Sequence, residues 1–208
     1  MGFRGWPAEA LDFYEGLEAD NSKTYWTEHK AVYEEMVLAP MTALLDALEP
    51  EFGAGKVFRP YRDVRFSADK SPYKTNIAAT LDSGGYLQLS ASGLGAGNGM
   101  YMMDPAQLAL YREAVAGDRT GTELESIIAA IERQSIDVTG HDMLKSAPRG
   151  YPKEHPRIEF LRFKGLIAWK DWPVAAWLGT AAAKDRVVKF LRTTRPLHDW
   201  LIKHARSA

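Results

Sequence analysis

Ile77-Ala78-Ala79-Thr80-Leu81, Asp82-Ser83-Gly84-Gly85 and Tyr86-Leu87-Gln88-Leu89-Ser90-Ala91-Ser92 decide the fold. Two short runs alternate apolar and polar or small residues around a glycine-rich joint, which is the pattern of an antiparallel hairpin. Toward the N-terminus, Val57 to Phe66 reads as a further strand, and toward the C-terminus so does Met100 to Met103. Gly93 to Gly99 reads as the turn between strands. Ser83 to Met103 carries no charge and is long enough to raise a membrane question. Its glycines and serines, with Gln88 and Asn98, exclude a spanning helix.

Helical patterns flank this β-rich middle. Pro7 to about Asp20 has an apolar face from Leu11, Phe13, Tyr14 and Leu17, and Pro7 suits a helix start. Asn21-Ser22 interrupts and caps a second helix, Lys23 to about Leu38. Pro40 should end or kink that helix, which resumes through Leu44, Leu45 and Leu48, and Pro50 to Gly55 reads as a turn. Asp104-Pro105 caps a helix to about Ala116, and Glu123 to Arg133 forms another. Gly140 to Pro156 reads as loop, and Ile158 to Phe163 fits helix or strand. Leu166 to Trp169 is a short strand, and Ala181 to about His204 a helix broken near Pro196. The expected fold is α+β: one domain over residues 1–208, with a mainly antiparallel central sheet and N-terminal and C-terminal helices packed against it.

A chain of 208 residues buries roughly 70% of its unfolded surface and needs no staple. There is no cysteine, which excludes thiol nucleophiles, thiolate metal sites and disulfides. Met1-Gly2-Phe3-Arg4-Gly5-Trp6 leads into a polar amphipathic segment and not into a secretory core, so the chain reads as soluble and cytoplasmic. No membrane partner and no cofactor are expected.

Formal net charge is −1, but its distribution is uneven. Residues 1–55 hold 3 basic and 11 acidic side chains, whereas residues 56–74 hold 6 basic and 2 acidic. Residues 145–164 repeat that balance of 6 basic to 2 acidic, and residues 184–206 carry 7 basic and 2 acidic. The whole chain is therefore no generic polyanion binder, but its local cationic windows can take a small anion.

The first window, Phe58 to Lys74, interleaves Arg59, Arg62, Arg65, Lys70 and Lys74 with Asp63, Asp69 and aromatic residues. On an extended strand Arg62 shares the apolar side with Phe58, Val64 and Phe66, unless Pro60 forces a bulge. An inward guanidinium needs a partner, which Asp69, backbone carbonyls or a bound anion can supply. The second window centres on Arg149, between Pro148 and Gly150 in a loop. Similar composition leads to the expectation that the two windows meet in space.

Arg62, Arg65, Lys70, Lys74 and Arg149 are thus the candidate ligand-binding residues, with Asp63 and Asp69 orienting them. Asp63, Asp69 and His155 are the candidates for proton transfer, though no reaction is indicated. Two rival readings stand beside a small phosphorylated or carboxylated ligand. One is nucleic-acid binding with Tyr61, Tyr73 and Tyr151 as stacking surfaces. The other is an interaction module whose cationic block is only an internal ion-pair network.

Other patterns fail. Gly53-Ala54-Gly55-Lys56 has Pro50 and Val57 where a phosphate loop needs Gly and Ser or Thr. Gly93 to Gly99 lacks the dinucleotide fingerprint, and no Gly-x-Ser-x-Gly elbow occurs. No histidine spacing makes a metal site: His141 stands beside Asp142 alone, and His198 and His204 are six apart.

Three blocks carry a family resemblance. The first is Trp6-Pro7 with Asn21, Tyr25-Trp26, Lys30 and Tyr33; the second is Phe58 to Asn76. The third is Leu144 to Tyr151 with His155-Pro156 and Leu161-Arg162-Phe163-Lys164-Gly165-Leu166. Together with Gly97 to Tyr101, Pro105 and Arg112, they resemble a bacterial and fungal family, domain of unknown function 2461, over nearly the whole chain. Tyr25-Trp26 departs from that family's usual Trp-Phe. The resemblance implies no catalytic residue.

Overall fold

The computed structural model describes residues 2–65 and 67–206. Its described strands form one sheet in the order β1-β2-β3-β4-β6-β5. These are β1 (Gly55–Val57), β2 (Asn76–Leu81), β3 (Gly85–Ser90), β4 (Gly93–Met100), β5 (Asp137–Thr139) and β6 (Leu166–Pro173). The pairs β1–β2, β2–β3 and β5–β6 are antiparallel. With helices on either side in sequence, the fold is α+β, as the sequence led one to expect. No helix among the described residues is long and apolar enough to cross a membrane.

The chain divides into two compact units, each discontinuous in sequence. The first joins residues 1–96 to 171–190, and the second joins 97–170 to 191–208. Strands β4 and β6 and the last helix run through the boundaries between them.

In the first unit, α1 (Ala8–Ala19), α2 (Lys23–Val32) and α3 (Ala39–Phe52) precede the sheet. Ser22 caps α2 by accepting the Tyr25 N–H at 3.1 Å. The core collects Phe13, Tyr14, Leu17, Met41, Leu44, Leu48, Ile77, Leu87 and Leu89, each at most 2% exposed. Such side chains contribute roughly 1.5–3 kcal/mol apiece on burial.

In the second unit, α4 (Pro105–Ala116), α5 (Asp118–Glu132) and α6 (Ile158–Arg162) pack around Tyr111, Leu124, Ile131 and Leu161. Asp104 and Gln107 form a reciprocal capping box at the start of α4. The unit also contains the latter part of α7 (Ala182–Ala205).

Several sequence expectations are corrected. Pro40 does not end the helical run. Tyr33–Leu38 widens into a π-helical stretch, and α3 follows with the proline in its first turn. There the missing N–H matters little. Pro50 and Pro196 lie inside α3 and α7, which continue past them. The expected 50–55 turn shrinks to Gly53 and Ala54, between α3, which runs to Phe52, and β1, which begins at Gly55.

The expected turn at Gly93 to Gly99 is strand β4, and the expected strand Met100 to Met103 only touches its end. Glycine serves close approach here. A side chain at Gly93 (φ 122°) or Gly99 (φ 136°) would run into the carbonyl oxygens of Trp172 or Leu166 on β6, and one at Gly97 would meet the Trp169 ring. Ile158–Arg162 resolves as helix, β6 outlasts its expected length, and α5 begins earlier than Glu123.

Candidate functional site

The first cationic window is an irregular hairpin in the first unit. The expected strand Val57 to Phe66 ends at Val57, while Phe66 lies outside the described residues. Pro60 has no N–H to give a ladder, and the charged tip stays in water. Backbone pairing nevertheless continues in broken form. The Phe58 N–H donates to the Ala78 carbonyl at 2.8 Å, the Lys74 N–H to Pro60 at 2.8 Å, and the Arg62 N–H to Pro72 at 2.9 Å. Between the first two contacts the outgoing chain advances two residues and the returning chain four. The irregularity expected at Pro60 is thus carried on the strand opposite.

The base of the hairpin is clamped. Asn21 donates from Nδ2 to the Tyr73 carbonyl at 3.1 Å and accepts the Tyr73 N–H on Oδ1 at 3.0 Å. One side chain thereby replaces a neighbouring strand. The Tyr73 ring is 5% exposed and lies flat on Trp26, with centroids 4.4 Å apart and planes 8° from parallel. Tyr61 packs at 6.0 Å from Trp26 and 5.5 Å from Tyr73, yet is 50% exposed. Phe58, 38% exposed, has the Lys74 ammonium 5.4 Å from its ring centroid.

At the tip, each acidic residue answers an arginine. Arg62 pairs with Asp69, whose second oxygen accepts the Ser71 N–H at 2.9 Å. Arg65 makes a two-pronged contact with Asp63, Nε at 2.9 Å and Nη2 at 2.7 Å. Lys70 donates to the Val64 carbonyl at 2.9 Å. Asp69 is one of the three partners open to Arg62 from sequence. Arg59 has no ion pair among the described residues.

These contacts fix protonation. Hydrogen bonds from Ser71, then from Arg62, hold the Asp69 carboxyl at about 2. The Arg65 side chain and N–H hold Asp63 below the usual carboxylate range. Both aspartates are therefore ionised near neutrality and make weak general bases there. Their geometry is that of groups orienting the arginine forks.

The second window belongs to the second unit, and three of its six cations are committed. Arg157 is nearly buried, donating to Glu125 at 2.9 Å and to Thr122 at 2.8 Å. Arg162 binds Glu159 at 3.0 Å and the Leu144 carbonyl at 2.8 Å, while Lys164 pairs with Asp142 at 2.6 Å. His155 accepts the Arg157 N–H on Nδ1 at 3.0 Å, just before α6. That nitrogen is therefore occupied by a local backbone contact. Arg149 is exposed in the Pro148–Tyr151 turn, with no ion pair among the described residues. No group of three or more His, Asp or Glu suited to a metal occurs among the described residues.

Sequence reasoning missed the clamp from Asn21 and Trp26, because its partner lies 52 residues away. It also did not single out Arg59, which has no ion pair among the described residues. Among the stacking surfaces it named, Tyr73 is excluded by burial and Tyr61 is open.

The fold and site describe an α+β protein displaying a clamped cationic hairpin. The chain belongs to the family described as conserved hypothetical protein (DUF2461), whose model matches residues 9–200. A solved conserved hypothetical protein from Pyrococcus furiosus is similar at 13% identity and a TM-score of 0.40, covering 84% of this chain and 98% of its own. No curated protein matches the chain.

Proposed function

We propose that the chain is a cytoplasmic protein that binds a small phosphorylated or carboxylated ligand on the hairpin 58–74. The observation that supports this reading is that its arginine forks are filled by exposed carboxylates of the same loop. The Arg65 and Asp63 side chains are 76% and 45% exposed, and Arg62 and Asp69 are 33% and 53% exposed. Exposed ion pairs contribute only about 0.2–1 kcal/mol, so an external anion can compete for the guanidinium. Residues 56–74 hold 6 cations and 2 carboxylates, so neutralising both aspartates leaves an excess of +4. Arg59 and Lys74 supply part of it beside the hairpin base.

An internal ion-pair network makes the opposite prediction for one variant. If the aspartates act as placeholders, Asp63→Asn removes the competing carboxylate from Arg65 and tightens anion binding by up to about fivefold, the equivalent of one exposed pair. Thermal unfolding of wild type and variant, with phosphate, sugar phosphates and carboxylates at fixed ionic strength, reads this out. Ligand at a hundredfold over its Kd stabilises by about 2.7 kcal/mol. No shift with any anion, and a lower midpoint for Asp63→Asn, would leave only the structural network.

A further inference from the structure

Resting on the anion-binding reading, we infer that the hairpin's ligand carries a nucleobase on its phosphate, with the base stacking on Tyr61.

Large apolar side chains exposed singly are ordinary. Their placement here is not scattered. Of the three that are exposed among the described residues of the first unit, Phe58, Tyr61 and Val174, two stand within four residues of each other on the hairpin. Arg59 lies between them and Arg62 follows, so cations and rings alternate along the chain. Extended backbone spans at most about 3.3–3.6 Å per residue, so the Cα atoms of Arg59, Tyr61 and Arg62 lie within about 11 Å of one another.

Tyr61 is also held for the purpose. One side is seated on Trp26 and Tyr73, and Tyr73 is anchored by Asn21. Half of the residue faces water. A ring already immobilised loses little freedom when a base stacks on it, which favours binding. Inorganic phosphate would use the arginines and ignore the ring. A base linked to phosphate uses both, as single-strand binders do with aromatic platforms and basic grooves. The same chemistry is presented by a free mononucleotide and by single-stranded nucleic acid.

The experiment titrates the full chain with inorganic phosphate, ribose 5-phosphate, adenosine 5′-monophosphate and a ten-nucleotide single-stranded DNA. Wild type, Tyr61→Phe and Tyr61→Ala are compared, with each variant's fold checked by its unfolding midpoint. The expected result is weaker binding of the nucleotide or DNA by about 5- to 150-fold in Tyr61→Ala. Tyr61→Phe should retain it, and ribose 5-phosphate affinity should not change. A steep fall in DNA affinity with salt, alongside weak mononucleotide binding, identifies the strand as the source. If phosphate compounds bind equally with and without a base, and Tyr61→Ala alters none of them, the stacking inference is overturned while anion binding stands. If nothing binds, both fail. Should Tyr61→Ala not fold, Tyr61→Leu, which keeps most of the packing volume and removes the aromatic face, carries the same comparison.

Discussion

Replacing Asn21 by alanine should loosen the hairpin base and lower the stability of the fold. The native side chain satisfies both backbone polar groups of Tyr73, a residue 5% exposed. Each net hydrogen bond is worth about 0.5–1.5 kcal/mol, and a buried group left unpaired costs about 1–3 kcal/mol. Partial access of water to the vacated space places the total near 2 kcal/mol. For a chain of this length each kcal/mol moves the midpoint by about 2–4 °C, so a fall of about 4–8 °C is expected. Asn21→Asp keeps the acceptor for the Tyr73 N–H and loses the donor to its carbonyl, so it should lie between alanine and wild type. Thermal and denaturant unfolding monitored by tryptophan fluorescence reports the change, since Trp26 stacks on Tyr73. An Asn21→Ala variant within about 0.5 kcal/mol of wild type would refute the clamp.

Other consequences can be checked separately. An NMR titration should place the Asp69 carboxyl midpoint near 2, well below an ordinary aspartate. Because the folded value is depressed, its contribution is present above the unfolded value of about 3.9 and is lost as pH falls through the folded one; a midpoint near 4 would deny the pairing. His198 and His204 each bury a ring nitrogen that has no hydrogen-bond partner among the described residues, and burial lowers the pKa of both. Stability is therefore full above about 6.5 and declines as pH falls from there through the folded values. The unfolding midpoint should drop between pH 7.5 and 5, and His198→Leu should flatten the slope; an unchanged slope contradicts this. Gly93→Ala meets both a positive φ and the Trp172 carbonyl, so it should cost more than about 2 kcal/mol by denaturant unfolding. Gly150→Ala, with open space around it, should cost only about 1 kcal/mol; equal effects would remove the close-approach account of β4.

Features set by neighbours in sequence were legible. Asp104-Pro105 marked the start of α4, and its cap is completed within three residues by Gln107. The Ile77 to Ser92 hairpin was readable from its alternation, and the register Ile77↔Leu89 and Ala79↔Leu87 places apolar pairs together. Strand alternation, by placing Arg62 on the apolar side, was also enough to demand a partner for it and to name Asp69 among the choices.

What escaped depends on distant residues. Glycine in β4 is explained only by the backbone and Trp169 ring of β6, some 70 residues later. Local chemistry alone makes 93–99 look like a turn. Pro40, Pro50 and Pro196 are breakers by propensity, but buried side chains around them and a π-helical adjustment before Pro40 keep the helices intact. The hairpin 58–74 could be seen as cationic, but its clamp could not, because Asn21 reads as a simple helix boundary. Strand β5 is three residues long and gave no periodicity.

The central claim is that the hairpin arginines exchange their own aspartates for an external anion. NMR of the Arg62 and Arg65 Nε–H groups during a phosphate titration at constant ionic strength tests it most directly. The account predicts saturable shifts at both, with the Arg65 transition moving to lower phosphate in Asp63→Asn. Resonances that stay fixed in both proteins across the titration would contradict it.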